Sequence, residues 1–395
     1  MRTVRISRVI AAALSAFVLT GTILSTAAHA EPANAPQAPE NHARGAALVD
    51  VESGRVLYSK RGDSRMLIAS LTKIMTAIVA IEHGKLADKV TVSTRAAGKE
   101  GSSIYLKAGE KMTLQNMLYG LMLRSGNDAA VAVAEHVGGS LDGFVYMMNK
   151  KAEELGLSNS HFANPSGLDQ EGHFSSAVDL AKLTAYALHN PVFREIVKTR
   201  VKSAPNPHED WDYKWVNKNK MLTMYEGADG VKTGYTKQSL RTLVSSATRN
   251  GQQLVAVTLN DGDDWADHRR LLDYGFLYYP LAQVVAKGQP VNDHPYAVDG
   301  DFRYPFAKGE RERLRIKLVP FDRASADYLL GKKGRLRLML DGREIGSVDL
   351  TGRALADEET GETPTDAVVH SASAGRRTFY SALQECAGWL FFGRT

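Results

Sequence analysis

Cysteine is almost missing from this chain: Cys386 stands alone. One thiol cannot form an internal disulfide, so stability must come from burying a core. Metal-binding patterns are missing too. The histidines are scattered, with no HExxH run and no Cys/His cluster, so no metal and no cofactor is expected. A large charge excess is also lacking. The formal net charge is +5, and residues 1–30 hold three arginines and no acid, so it falls to +2 without them. That gives no case for a nucleic-acid partner. No internal repeat is visible. The apolar stretch from Val9 to Leu24 is short and is broken by Ser15, Thr20, Gly21 and Thr22, which argues against a permanent membrane anchor. Arg2, Arg5 and Arg8 precede it and Ala28-His29-Ala30 follows. This is the pattern of a cleaved export signal, with Glu31 as the first mature residue.

What is present is ordinary globular material: 44% hydrophobic and 24% charged residues over 395 positions, enough for two domains and appendages. The expected layout is a signal peptide (1–30), a flexible leader (31–44), a main domain (45–280), a small β-rich domain (290–350), a linker (351–375) and an amphipathic tail (376–395). In the main domain, Ala46 to Val51 and Arg55 to Tyr58 read as strands. A helical region follows from Ser70 to about Leu188. Within it Thr113 and Asp128 read as helix caps, and Ser175 to Asp179 as a capping box. Asp229 to Tyr235, Arg241 to Thr248 and Gln253 to Asn260 read as strands, with Asn250-Gly251 as a tight link, and a helix follows from Trp265 to Phe276. This order predicts an α+β fold, a mostly antiparallel sheet packed against helices. Farther on, Leu314, Ile316 and Leu318 alternate with basic residues, as do Leu336, Leu338 and Leu340, which predicts a sheet with one wet face.

The strongest local signal is Ser70-Leu71-Thr72-Lys73. From Leu71 to Ile81 only Thr72, Lys73 and Thr76 are polar, so the helix is expected to be buried. Burial disfavours the charged amine and lowers its pKa, which turns a lysine into a usable base. Spacing of i, i+3 puts Ser70 and Lys73 on one face, where the amine can activate the hydroxyl. Taken alone, the tetrapeptide fits an N-capping serine and a surface lysine equally well. Two further pieces decide between them: Ser125-Gly126-Asn127 before a helix, and Lys232-Thr233-Gly234 in a strand.

These three pieces, in this order, resemble the signature of penicillin-binding proteins and serine β-lactamases. The surrounding stretches IASLTKIMTA, GSSIYLKAGE, MLRSGNDAA, ELGLSNSHFANPSGLDQEGHFSSAVDLA, NKNKML and DGVKTGYT resemble more narrowly the D-alanyl-D-alanine carboxypeptidases of peptidase family S11. The resemblance covers about Gly45 to Pro280. It implies an enzyme that removes the terminal D-alanine from peptidoglycan stem peptides and is acylated by β-lactams. It implies Ser70 as nucleophile, Lys73 as its base, Ser125 as proton shuttle and Asn127 as orienting group. Lys232 and Thr233 would face the substrate carboxylate, Gly234 would let the backbone approach, and the N–H groups of Ser70 and Tyr235 would form an oxyanion hole. Some relatives bind that carboxylate with an arginine just before the final helix. Asp263-Asp264-Trp265 stands there, which leaves Arg241 and Arg269 as candidates.

Two other functions stay in view. A serine β-lactamase needs a deacylating glutamate, and Glu154 begins the nearest, imperfect match. A non-catalytic cell-wall-binding protein would not need an intact Ser70, Lys73, Ser125 and Lys232. Other polar and aromatic groups read as structural: His136, His161, His173 and His268 among them, while Trp211 and Trp215 fit packing at least as well as a groove. In the tail, Phe379, Leu383, Cys386, Ala387 and Leu390 share a helical face flanked by Arg376, Arg377 and Arg394. That suits a helix lying on the outer face of the cytoplasmic membrane, with docking on the β domain as the alternative.

Overall fold

The computed structural model describes residues 36–352. The signal segment and the tail lie outside the described residues. Two strands open the fold, β1 (Gly45–Asp50) and β2 (Val56–Lys60). A 3-10 turn, Ala69–Thr72, leads into α1 (Lys73–His83). Then come β3 (Lys89–Thr91), α2 (Thr94–Ala97), β4 (Lys111–Thr113) and α3 (Leu114–Tyr119). The helical series continues with α4 (Asn127–Gly138), α5 (Leu141–Glu154), α6 (Ala177–Leu188) and α7 (Pro191–Lys198). A hairpin of β5 (Val201–Ala204) and β6 (Tyr213–Val216) and the short α8 (Met221–Met224) precede β7 (Ala228–Thr236), β8 (Leu240–Arg249) and β9 (Gln252–Leu259). Helix α9 (Asp264–Tyr278) follows.

The main sheet is antiparallel in the order β2-β1-β9-β8-β7, which leaves β7 on an edge. Its two faces bury different residues of the same strands. Ala47, Val49, Val255 and Val257 join the cluster around α1. Ala46, Leu48, Leu254 and Ala256 pack with Leu271 and Leu272 of α9. Covering both faces explains why β1 is buried along its whole length and reads as a nearly continuous apolar run. The Asn250-Gly251 link carries φ values of 50° and 77°, as a two-residue hairpin turn requires.

The α+β expectation holds, with local corrections. The stretch from Ser70 to Leu188 is not all helical. Strands β3 and β4 pair across it, and three residues each are too few to show a period-2 pattern. Asp128 is not a cap. Gly126 takes that position, so Asp128 sits inside the first turn of α4 with its carboxylate turned to the loop 103–106. Ser176 caps α6, but the reciprocal half of the box is missing, because Asp179 accepts from Asn159 N and Ser160 Oγ instead. Residues 41–44 belong to the fold and not to a free leader: His42 N donates to Asp267 and Arg44 N to Leu259 O.

Beyond α9 lie β10 (Leu281–Val285), β11 (Tyr296–Val298), β12 (Phe302–Pro305), β13 (Leu314–Pro320), α10 (Ala326–Leu329), β14 (Lys332–Leu340) and β15 (Arg343–Gly352). They form a four-stranded antiparallel sheet, β11-β15-β14-β13, and a β10-β12 pair. Val298, Leu336, Leu338 and Leu350 make its small core. Ile316 does not join them and is 48% exposed, since β13 is a sheet edge. Thr351 and Gly352, expected in a linker, end β15 opposite Ala297 and Tyr296. Among the described residues no helix is long and apolar enough to cross a membrane.

Candidate active site

Four segments meet where β7 passes the start of α1. The turn Ala69–Thr72 holds Ser70 at the mouth of α1, and Ala69 takes a left-handed φ of 47°. One turn on, Lys73 is fully buried. Its Nζ lies 3.1 Å from Ser70 Oγ, 2.7 Å from Asn127 Oδ1 and 2.5 Å from Ser166 O. Two of these neighbours can only accept. The Asn127 amide is fixed by its own Nδ2, which donates to Glu100 O at 2.7 Å, so Oδ1 must face the lysine. A neutral amine here spends its two protons on Asn127 and Ser166 and turns its lone pair to the Ser70 hydroxyl.

The charge state favours that form. Burial, then the neighbouring Lys232 and Lys218, hold Lys73 well below the usual amine range. Asp128 pulls the other way, but its carboxylate is committed to Ser103 Oγ and the N–H groups of Ile104 and Leu106. Lys232, also buried, is pushed down to about 7 by burial and by Lys218. Lys218 itself is exposed and donates to Ser102 Oγ at 3.3 Å.

Ser125, two residues before Asn127, is reached by an unusual route. After α3 the chain widens into one π turn, Gly120–Arg124, and Ser125 follows with φ 65°, ψ 33°. Such turns and left-handed residues recur at functional sites. Ser125 Oγ is buried and has no hydrogen-bond partner among the described residues. A buried hydroxyl left unpaired costs stability, and a substrate group would satisfy it.

Strand β7 closes the other side. Gly234 lies against the nucleophile turn. A Cβ there would stand 3.1 Å from Ser70 N and 2.4 Å from Thr242 Oγ1, so the close approach requires glycine. Lys232 Nζ donates to Thr233 O at 2.7 Å, and Tyr235 is 63% exposed.

The structure thus brings Ser70, Lys73 and Asn127 into direct contact and sets Gly234 beside them. Arg241 is not free for a substrate: its guanidinium pairs with the buried Asp264. Lys218 acts electrostatically on both buried lysines, and its place inside the NKNKML stretch gave no sign of that. The carbonyls of Ser166 and Glu100 were also missed, since backbone acceptors leave no mark in a sequence. His268 is buried against Thr258 and His136 faces Asp88, both away from Ser70. Trp215 is buried and stacked on Tyr213, while Trp211 is exposed. Glu154 pairs with Lys151 at an exposed helix end.

Residues 32–263 match the peptidase S11 family, D-alanyl-D-alanine carboxypeptidase. The chain belongs to this family. It is 40% identical over 261 residues to D-alanyl-D-alanine carboxypeptidase DacF of Bacillus subtilis, a match covering 64% of this chain and 66% of that one. With DacA of Escherichia coli the identity is 30%, over 82% of this chain and 87% of the relative. Among solved structures, penicillin binding protein 5 from Haemophilus influenzae superposes with a TM-score of 0.67 at 26% identity, covering 80% of this chain and 98% of that one. A Streptomyces K15 DD-transpeptidase mutant gives 0.58 at 33% identity, covering 61% and 100%.

Proposed function

We propose that this chain is a serine-type carboxypeptidase that removes the terminal D-alanine from peptidoglycan stem peptides through an acyl-enzyme on Ser70. The observation that carries the reading is Lys73: buried, paired with no carboxylate among the described residues, and within 3.1 Å of Ser70 Oγ. Lys73 takes the hydroxyl proton as Oγ attacks the carbonyl of the penultimate D-alanine. The N–H groups of Ser70 and Tyr235 receive the developing oxyanion. The peptide C–N bond then breaks, and Ser125 relays the proton to the departing D-alanine nitrogen. Water hydrolyses the ester with Lys73 again as base. Lys232, Thr233 and Lys218 hold the substrate's terminal carboxylate, and Asn127 orients Lys73. A β-lactam follows the first half of this path and stays attached.

Glu154 weighs against the β-lactamase alternative, because its carboxylate is engaged by Lys151. A non-catalytic cell-wall-binding or scaffold role would leave the Ser70–Lys73 contact unexplained. Release of D-alanine from a synthetic peptide ending in D-Ala-D-Ala tests the reading, together with a stable benzylpenicillin adduct on the Ser70 peptide. Rapid turnover of the antibiotic, or an adduct on Ser125, would overturn it.

The substrate, together with the export signal expected in residues 1–30, supports a location outside the cytoplasm. The tail from Gly375 supports attachment to the outer face of the membrane through Phe379, Leu383 and Leu390, with arginines toward anionic lipid. Deleting residues 375–395 should release the protein from anionic vesicles and leave peptide hydrolysis intact. Continued sedimentation with vesicles would remove this role from the tail.

A further inference from the structure

His173 lies between the nucleophile turn and the strand of chain that supplies Lys73 with its carbonyl acceptor. Its Nδ1 accepts the backbone N–H of Ala163 at 3.0 Å. A ring nitrogen that accepts carries no proton, so the proton of the neutral ring is on Nε2. Nε2 stands 2.7 Å from Thr72 Oγ1 and donates to it. The Thr72 hydroxyl in turn donates to Ala69 O at 2.9 Å. Ala69 is the residue whose left-handed φ sets up Ser70, a conformation that neighbours must enforce in a non-glycine residue.

The other end of the ring serves the opposite wall. From Ala163 the chain runs through Pro165, whose carbonyl accepts from Thr76, to Ser166, whose carbonyl accepts from Lys73. It then presses on the nucleophile turn: a Cβ on Gly167 would stand 1.9 Å from Ala69 O. The ring is only 2% exposed and packs edge-on against Phe162. Burial, then His161 and Lys73, push it down to about 4, so it stays neutral while the enzyme works.

We propose that His173 is a positioning residue, whose Nε2–H tautomer locks the Ala69–Ser70 turn and the Ala163–Ser166 segment at the spacing that Lys73 needs. It touches neither substrate nor the reacting atoms and acts through Thr72 and Ala163. The proposal rests on the roles given above to Ser70 and Lys73.

The test uses the full chain and three variants: His173→Leu, which removes both hydrogen bonds, His173→Gln, which keeps an amide donor for Thr72, and Thr72→Val, which removes the relay. His173→Leu and Thr72→Val should slow benzylpenicillin acylation and lower kcat on a D-Ala-D-Ala peptide about ten- to hundredfold, with KM unchanged. His173→Gln should recover most of the loss. If His173→Leu fails to fold, the other two variants decide. Ring nitrogen NMR of the wild type should show the Nε2–H tautomer and no titration above about pH 5. An Nδ1–H tautomer, wild-type acylation in Thr72→Val, or a loss confined to KM would overturn the proposal. Should the wild type take no label and release no D-alanine, the reading of the site fails instead, and the tautomer still decides the hydrogen-bond chain.

Discussion

Beside β7, Lys73 and Lys232 are buried and of like sign, and neither pairs with a carboxylate among the described residues. In the β10–β15 region, Arg313, Arg335 and Arg337 stand at the surface, each against an acid. Both regions are rich in basic side chains, yet their environments push the pKa values in opposite directions. Desolvation dominates at the site and drives both lysines down. Hydrogen bonds to Asp and Glu dominate on the sheet and drive the arginines up. The first arrangement is costly to the fold and can be kept only for chemistry, whereas the second keeps a wet sheet face soluble.

The sharpest break in that contrast comes from removing the amine's ability to be neutral. Lys73→Arg keeps a positive charge but a guanidinium does not give up its proton. Acylation by benzylpenicillin should fall by about a thousandfold or more, since general-base catalysis is lost and a charge is forced into a buried site. Ser70→Ala should abolish the adduct altogether while the circular dichroism spectrum stays native. Substantial turnover by Lys73→Arg would refute the lysine-base mechanism.

A milder perturbation of the same groups is pH. The free amine of Lys73 appears as pH rises through its depressed pKa, so acylation should climb on the acid side. Lys232 carries its charge below about 7 and loses it above. The substrate carboxylate should therefore bind less well as pH passes that value, unless bound substrate holds the proton on. The expected kcat/KM profile is a bell, with the alkaline limb expressed in KM. A flat acid limb would mean that Lys73 is not the titrating base.

The sequence made one part of this site legible on physical grounds. A lysine inside an otherwise apolar helix, three residues after a serine, implies burial and contact, and Lys73 is buried 3.1 Å from Ser70 Oγ. Bringing Asn127 and Gly234 to them depended on the family resemblance, because 54 residues separate Lys73 from Asn127 and no local pattern encodes that meeting. The acceptors that complete the lysine's environment, Ser166 O and Glu100 O, are main-chain atoms and were invisible. Lys218 was hidden by its ordinary surroundings. For the fold, strands with both faces covered stood out as apolar runs, while β3 and β4 were too short to do so. Asp128 was misread because any acid near a helix start resembles a cap, and only the backbone shows that Gly126 holds that position.

Between the two regions lies an intermediate case. Arg55 on the approach to β2 forms a bidentate pair with Glu310, both contacts 2.6 Å, and stacks over Tyr279 and Tyr304. Burial alone would raise the Glu310 carboxyl, but the hydrogen bonds from Arg55 and the Ala307 N–H, together with the charges of Arg55 and Arg313, outweigh it and the net shift is downward. A depressed carboxylate adds stability at neutral pH that is lost as pH falls through its folded pKa. Arg55→Ala should lower stability by about 2 kcal/mol, less than a fully buried pair because some solvent reaches it. Chemical denaturation measures this, and peptide hydrolysis at 25 °C should not change. Loss of activity without loss of stability would show that the β region feeds into the site.

The smallest effect should come from the surface. Arg313 donates to both carboxylate oxygens of Asp341, at 2.7 and 2.9 Å, a geometry as good as that of Arg55 and Glu310. What differs is water: the side chains keep 37% and 50% of their exposure. Solvent screens the attraction, and two long side chains lose freedom to make it. Arg313→Ala should therefore move Tm by no more than about a degree or two. Raising the salt should move the wild type toward the variant. The two bidentate pairs have similar contact distances and differ in burial and in the tyrosines that flank Arg55. Equal losses from Arg55→Ala and Arg313→Ala would mean that geometry, and not desolvation, sets the value of charge pairs here. The case for reading buried, unpaired Lys73 and Lys232 as functional would then lose its physical footing.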